Sequence, residues 1–176
     1  QKKRNSLSTT KQTIEHISQS DGNFDYYVFN DFSGEETTVY LEENQEKFAY
    51  KHVNLAAKLK TPSPNYISVL RMAQKMALEE KTHLIIIESD VLVERNTIDA
   101  LGELADSLEN AGMIGAVTTE KDGTINFPYK HITKADGGLF VTQRSLSFCC
   151  TLVTYAYLKA FDFKTLNPEK DWFDVS

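Results

Sequence analysis

Two carboxylates, Glu88 and Asp90, follow directly after the most apolar segment of the chain, residues 84 to 87. An unbroken apolar run is typical of a strand that is buried on both faces, as in the centre of a parallel sheet. Ligands of such sheets bind at the carboxyl ends of the strands. Carboxylates suit Mg²⁺ or Mn²⁺, and Mg²⁺ usually takes one or two of them, with water and substrate phosphate completing its shell. The segment therefore predicts a divalent-cation site at Glu88 and Asp90.

The same segment also has a simpler interpretation. Asp is common after strands because it initiates turns and caps helices. Taken alone, Glu88, Ser89 and Asp90 are therefore also typical of an ordinary turn.

A second predicted strand, residues 24 to 30, also ends in polar residues. Asn30 and Asp31 follow its aromatic and β-branched residues, and Ser33 follows after a bend. Because ligands of such sheets bind at the carboxyl ends of the strands, we expect Asn30 and Asp31 to lie at the same edge as residues 88 to 90. An acidic pocket at that edge would bind a hard cation or a cationic or hydroxyl-rich ligand.

Several other kinds of site are disfavoured. The chain has neither GxGxxG nor GxxxxGK[ST], which argues against a dinucleotide-binding or P-loop enzyme. Its cysteines, Cys149 and Cys150, are adjacent and apolar in context, which is typical of buried thiols in a reduced cytosolic protein. A zinc site is improbable because the histidines are scattered and no CxxC or HxxxH spacing occurs.

Composition and charge exclude some classes of binding partner. The 176 residues suit a single domain, and the net charge is −6 without a Lys/Arg run. We therefore expect no binding to nucleic acid. No apolar run approaches the roughly 18 residues that a membrane span needs, so the sequence predicts no transmembrane segment.

The elements that must position these residues alternate between helix and strand. Predicted helices cover residues 8–19, 61–80, 96–112 and 151–161. Predicted strands cover residues 24–30, 48–53, 83–88 and 113–119, with a turn after the first of them. This order predicts an α/β fold, a three-layer helix/sheet/helix sandwich in which the four strands share one mostly parallel sheet.

The order and spacing of several segments resemble a known family, the family 2 glycosyltransferases of GT-A (nucleotide-diphospho-sugar transferase) fold. The segment "YYVFNDFSGEET" resembles its second-strand motif, with Asn30, Asp31, Ser33 and Thr37 on the pattern. "LIIIESDVLVERNTIDAL" resembles the strand with the Asp-x-Asp-type motif, and "LSFCCTLVTYAYLKAFDF" the segment that ends in Gly-x-Phe-Asp. The last residues, "DWFDVS", resemble the acidic motif that carries the catalytic base. The resemblance covers residues 5 to 176.

The resemblance implies roles for individual residues. The nucleotide-sugar donor would be bound by residues that follow three strands: Asn30, Asp31, Ser33, Asn54, Glu88, Ser89 and Asp90. Asp90 would be the metal ligand, because it matches the last acid of the Asp-x-Asp-type motif. Glu88 matches the first position of that motif less closely. Asp174 matches the position of the family's catalytic base best, and Asp171 is the alternative. Asn30 departs from the family, which has an acid there, although an amide can still hydrogen-bond a base edge.

The resemblance also implies that the catalytic domain is incomplete. The family opens with a strand that lies centrally in the sheet, and the start "QKKRNSLS" matches the segment just after it. We therefore expect the first strand to be missing and its neighbours to lack backbone partners. The family also continues beyond the position of Ser176.

The implied activity is an inverting transfer of a sugar from a nucleotide-diphosphate sugar to a hydroxyl of a carbohydrate or lipid-linked acceptor. It would serve surface polysaccharide or glycan synthesis in the cytoplasm, at the inner face of the membrane. One alternative is an inactive sugar-nucleotide-binding module of the same fold, which Asn30 favours. Another is a receiver-like signalling module with Thr118, Thr119 and Lys121 as its later polar residues, but such a module does not explain the chain after residue 124.

Overall fold

The computed structural model describes residues 7–61, 64–132, 138–142 and 146–167. These residues form five α-helices: α1 (Leu7–Ser18), α2 (Glu35–Glu43), α3 (Tyr66–Glu80), α4 (Thr97–Ser107) and α5 (Tyr155–Ala160). They also form five strands: β1 (Tyr26–Asn30), β2 (Tyr50–Asn54), β3 (Leu84–Ile87), β4 (Met113–Gly115) and β5 (Cys150–Val153). The chain divides into two compact units. The first runs to Met72 and includes Ser89–Asp99, and the second holds Ala73–Glu88 and the chain from Ala100 onward.

The first unit contains a parallel pair of strands. β1 and β2 run side by side in register, from Tyr26 opposite Tyr50 to Asn30 opposite Asn54. The core beside them is formed by buried residues of α1, α2 and β2: Ile14, Leu41 and Tyr50. The Tyr50 hydroxyl donates a hydrogen bond of 2.8 Å to the Leu41 carbonyl oxygen, so this buried polar group is satisfied.

Helix α2 was not predicted, because only a turn was expected after residue 31. The helix follows Gly34 and carries Glu35 and Glu36 in its first turn, where their charges complement the helix dipole. Its apolar stripe is narrow, since only Thr37 and Leu41 are buried. Parallel strands need a crossover connection, so the parallel pairing of β1 and β2 explains why a helix lies between them.

The second unit contains an antiparallel sheet with β5 at its centre. The strand order is β3-β5-β4, and β5 pairs antiparallel with both neighbours. All four residues of β5 are buried. The predicted helix over residues 151–161 is therefore wrong in its first part, because the β-branched Thr151 and Val153 favour a strand. The helix begins only after Thr154, whose side chain caps α5 by accepting from the Tyr157 N–H.

The expected single sheet is not what the described residues form. A mixed α/β fold is confirmed, and each of the four predicted strands is present. The sheet prediction is wrong within these residues, which form a parallel pair and an antiparallel triple. β5, which the sequence did not reveal as a strand, lies between β3 and β4 and explains why these two strands are not parallel neighbours.

β3 is an edge strand within the described residues. The Glu88 N–H donates to the Cys149 carbonyl oxygen at 2.9 Å. Hydrogen-bonded pairs alternate in an antiparallel ladder, so the backbone groups of Ile85 and Ile87 point away from β5. Among the described residues, no strand pairs with that side of β3.

His52 of β2 is a group of the first unit whose protonation affects stability between neutral and acidic pH. Burial lowers the pKa of this imidazole below its ordinary value of 6.5. Its Nε2 atom is buried and has no hydrogen-bond partner among the described residues. A proton added there would therefore place a charge in a poorly solvated position.

We expect acid to destabilise the first unit through His52. The pKa of His52 is lower in the folded protein than in the unfolded chain. At pH values between these two pKa values, the unfolded chain therefore binds more protons than the folded protein. The free energy of unfolding should therefore be highest above about pH 6.5 and fall as pH decreases through the folded pKa. Urea unfolding between pH 8 and pH 5 measures the slope. His52→Gln, which cannot be protonated, should flatten it, and an unchanged slope in this variant would contradict the assignment.

Candidate functional site

The carboxyl ends of β1 and β2 form a polar edge in the first unit. Asn30 and Asn54 lie opposite each other in the last register position of the pair. The Asn30 side chain is 2% exposed. Its Oδ1 accepts from the Ser33 N–H and its Nδ2 donates to Thr38 Oγ1, both at 3.0 Å. Asn30 therefore shapes the turn that leads from β1 into α2.

Asp31 is held by two hydrogen bonds from a single residue. Its Oδ2 accepts from the Asn65 backbone N–H at 2.9 Å, and its Oδ1 accepts from Asn65 Nδ2 at 2.7 Å. Asn65 is 5% exposed and also donates to the Thr61 carbonyl oxygen at 3.0 Å. Since Asn65 precedes α3 directly, Asp31 joins the end of β1 to the start of that helix. Each oxygen keeps a second lone pair with which a ligand could bond.

The remaining residues of this edge have local partners. Asn54 Oδ1 accepts from the Ala56 N–H at 3.1 Å and so caps a short 3₁₀ turn. The Ser33 carbonyl oxygen accepts from Thr38 Oγ1 at 3.4 Å. The structure thus brings together four of the predicted donor-binding residues, Asn30, Asp31, Ser33 and Asn54.

Glu88 follows β3 in the second unit and is exposed. Its Oε2 lies 3.5 Å from Cys149 Sγ, which can donate a weak hydrogen bond to it. The same sulfur accepts from Ser147 Oγ at 2.9 Å. Glu88 therefore contacts a half-buried thiol, a contact between distant residues that the sequence did not indicate.

The two cysteines are free thiols, as expected. Cys150 is buried, and this burial raises its pKa to about 11, so it stays protonated at neutral pH. Cys149 is only half-buried, which differs from the expectation that both would be buried.

Asp90 lies in what we call the acidic loop, residues 89–95 of the first unit. Ser89 and Asp90 are exposed, whereas Val93 is 4% exposed. The loop is held through its backbone: the carbonyl oxygens of Ser89, Val93 and Arg95 accept hydrogen bonds from residues of α1 and the following turn. No hydrogen bond or ion pair joins the Asp90 carboxylate itself to another residue of the described chain.

The donor chemistry of the acidic positions fits a hard cation. The described residues contain no group of three or more His, Cys, Asp or Glu that could hold a metal ion. Mg²⁺ seldom needs such a group, because one or two carboxylates with water and phosphate complete its shell. The exposed carboxylate of Asp90 suits this mode of binding.

Two parts of the predicted site stay predictions. Asp171 and Asp174 lie outside the described residues. Glu88 follows a strand of the second unit, whereas Asn30 and Asp31 follow a strand of the first. The expected meeting of these residues at one edge therefore remains a prediction.

Sequence reasoning missed two residues that organise this region, Thr13 and Asn65. Thr13 lies beside Ile14 and Ile17 on the buried face of α1. A polar residue in an apolar stripe was the signal that could have found it, because a buried hydroxyl needs a partner. Asn65 stands just before α3, a position where Asn often bonds the backbone at a helix start.

A shallow cleft of about 490 Å³ lies beside the acidic loop. Its lining comes from α1 and from the loop: His16, Gln19, Val93, Glu94 and Arg95. Arg95 Nε donates to Asp21 Oδ1 at 2.9 Å, so the guanidinium is held at the rim by a surface ion pair.

Comparisons of the chain with protein-family models, curated proteins and solved structures found no match. None of the helices in the described part of the chain is long and apolar enough to cross a membrane.

We expect Asp31→Asn to destabilise the first unit by about 1–3 kcal/mol, the cost of an unsatisfied buried polar group. The amide must turn its NH₂ towards one of the two donors of Asn65. Asp25→Asn is the matched control, because the Asp25 carboxylate is 70% exposed in its pair with Lys51. That exposed pair should contribute no more than about 1 kcal/mol. Urea unfolding measures both, and equal losses would show that the Asp31 contacts contribute no more than a surface pair.

Proposed function

We propose that this chain is a metal-dependent, inverting glycosyltransferase that moves a sugar from a nucleotide-diphosphate sugar to a hydroxyl of a carbohydrate or lipid-linked acceptor. The observation that supports it best is the polar edge at the carboxyl ends of the parallel strands β1 and β2. Parallel α/β units bind their ligands at this position. The residues at this edge include Asn30, Asp31 and Ser33, which belong to one of the segments that resemble family 2 glycosyltransferases.

The proposal includes the GT-A sandwich, in which a further strand lies centrally in the sheet. Two observations are compatible with it. β1 is paired with β2 on one side only, and β3 with β5 on one side only, among the described residues. Open sides on these two strands are expected if both are neighbours of a central strand that the described residues do not include.

In the proposed mechanism, the residues of the chain bind the donor and remove one proton. Asp90, with Glu88 beside it, would hold Mg²⁺ or Mn²⁺, and this cation would offset the charge that builds on the diphosphate oxygens as the glycosidic bond breaks. Asn30, Asp31, Ser33, Asn54 and Ser89 would contact the donor. Asp174 would take the proton of the acceptor hydroxyl. A single displacement with one base inverts the anomeric centre, in contrast to hydrolases that use a pair of carboxyl groups.

We place this reaction in the synthesis of surface polysaccharide or glycan, on the cytoplasmic side at the inner face of the membrane. The expected thiols and the absence of a spanning helix in the described chain are compatible with this location.

The second candidate is an inactive sugar-nucleotide-binding module of the same fold. The contacts of Asn30 favour it, because this residue replaces the family's acid and its amide already bonds Ser33 and Thr38. Asp31 beside it is likewise engaged by Asn65. Such a module would bind the nucleotide without transferring the sugar.

We expect Asp90→Asn to abolish Mn²⁺-dependent binding of a nucleoside diphosphate, because it removes charge but little volume. Calorimetric titration of UDP and GDP, with Mn²⁺ and with EDTA, measures this. Glu94→Gln is the matched control, since Glu94 is an exposed acid of the same loop, and it should bind like the parent protein. Asp90 would be only a turn residue if its variant bound as well as the parent.

For Asp174→Asn we expect kcat to fall by about 10²-fold or more, the lower range for a lost general base. Donor binding should stay nearly unchanged, and Asp171→Asn should have a much smaller effect. Transfer rates with a panel of nucleotide sugars measure this in a protein that contains the whole catalytic domain. If Asp171→Asn lowered kcat strongly and Asp174→Asn did not, Asp171 would be the base. If the parent protein bound the donor but transferred no sugar, the inactive module would be favoured.

A further inference from the structure

Helix α1 directs a buried hydroxyl towards the acidic loop. Thr13 is 3% exposed and lies beside Ile14 and Ile17 on the buried face of the helix. Its Oγ1 donates a hydrogen bond of 3.0 Å to the carbonyl oxygen of Ser89, the residue immediately before Asp90. A buried hydroxyl without a partner would be costly, so this bond favours one position of the loop backbone.

One turn further along α1, His16 contacts the other side of the same loop. His16 Nδ1 lies 3.0 Å from the Val93 carbonyl oxygen. A carbonyl oxygen can only accept, so Nδ1 carries the hydrogen atom in this contact. Thr13 and His16 are three residues apart and therefore lie on the same face of the helix. Asp90 is thus placed between two carbonyl groups that α1 holds.

The Val93 side chain strengthens the second contact. It is 4% exposed, although its neighbours Leu92 and Glu94 are exposed. Val93 is therefore held in two ways, by burial of its apolar side chain and by the hydrogen bond from His16 to its carbonyl oxygen. The loop therefore has an anchored residue on each side of Asp90.

The Asp90 carboxylate has no such anchor of its own. It is exposed, and no hydrogen bond or ion pair joins it to another described residue. Its position therefore follows from the backbone of the loop. We infer that Thr13 and His16 are positioning residues, which hold the acidic loop so that Asp90 is placed to bind a divalent cation. This inference rests on the proposed function, which supplies the role of Asp90.

The test uses variants that change one contact each. Thr13→Val keeps the shape of the side chain and removes the donor, whereas Thr13→Ser keeps the donor. Thr10→Val is the control on the same helix, because Thr10 is only half-buried and bonds no residue of the loop. His16→Leu tests the second contact at an exposed position, where a folding defect is not expected.

Two measurements are made on each protein. Amide hydrogen exchange of Asp21 and Thr97, whose N–H groups donate to the loop carbonyl oxygens of Arg95 and Glu94, reports on the loop, with β1 and β2 as internal reference. Calorimetric titration of Mn²⁺ with UDP reports on the site. Loss of one hydrogen bond corresponds to about a 3- to 10-fold change in an equilibrium constant. We expect loop exchange to rise and Mn²⁺-dependent affinity to fall by about this factor in Thr13→Val and His16→Leu, but not in Thr13→Ser or Thr10→Val.

The outcomes separate the inference from the proposed function. Unchanged loop exchange in Thr13→Val and His16→Leu would overturn the anchoring. Faster exchange with unchanged Mn²⁺ affinity would overturn the positioning of Asp90. A parent protein that binds no UDP with Mn²⁺ would overturn the proposed function and with it the role of Asp90, while the exchange data would still decide whether α1 holds the loop. Should Thr13→Val not fold, the exposed His16→Leu decides the same question.

Discussion

The organisation of the candidate site depends on the parallel pairing of β1 with β2. Parallel strands cannot be joined by a tight turn, so the chain must leave the end of β1 and return along the sheet before β2 begins. Helix α2 makes this return, and both strands consequently end at the same edge. Asn30 and Asn54 become neighbours there although they are 24 positions apart in the sequence. The polar character of the edge is a result of this connection.

If the proposed function is correct, residues of this edge serve both as a binding surface and as folding contacts. Asp31 bonds Asn65, Asn30 bonds Ser33 and Thr38, and these bonds set the directions of the two segments that follow. Residues with such contacts are held in place before any ligand arrives, which lowers the entropy that binding must overcome. Asp90 differs from these residues, because no hydrogen bond from a described residue holds its carboxylate. Only the backbone of its loop is held. An open carboxylate remains free to bind a cation.

The sequence was sufficient where a signal was local and failed where it depended on distant residues. Apolar and aromatic runs located β1, β2, β3 and β4, and the spacing of Ile14 and Ile17 located α1. Helix α2 was missed because its apolar stripe is narrow, and β5 was taken for a helix because its apolar run continues into α5. Strand pairing also failed, since no local signal states that β5 lies between β3 and β4. Within the site, Asn30, Asp31 and Asn54 were correctly expected at a strand end, but their partners Asn65 and Thr38 were not foreseen.

Among the residues that the structure describes, one side of β3 has no strand partner, and this has a consequence for what the strand can bind. The backbone groups on this side belong to Ile85 and Ile87, two half-buried residues within a run of four apolar residues that carries no charge or proline. Natural sheets usually protect their edges with such features, because an uncovered apolar edge can pair with any extended segment. Within the described residues, this side of β3 is therefore available to pair with a further extended segment. A Lys placed in β3 would hinder such pairing, as charged residues do on the edge strands of natural sheets.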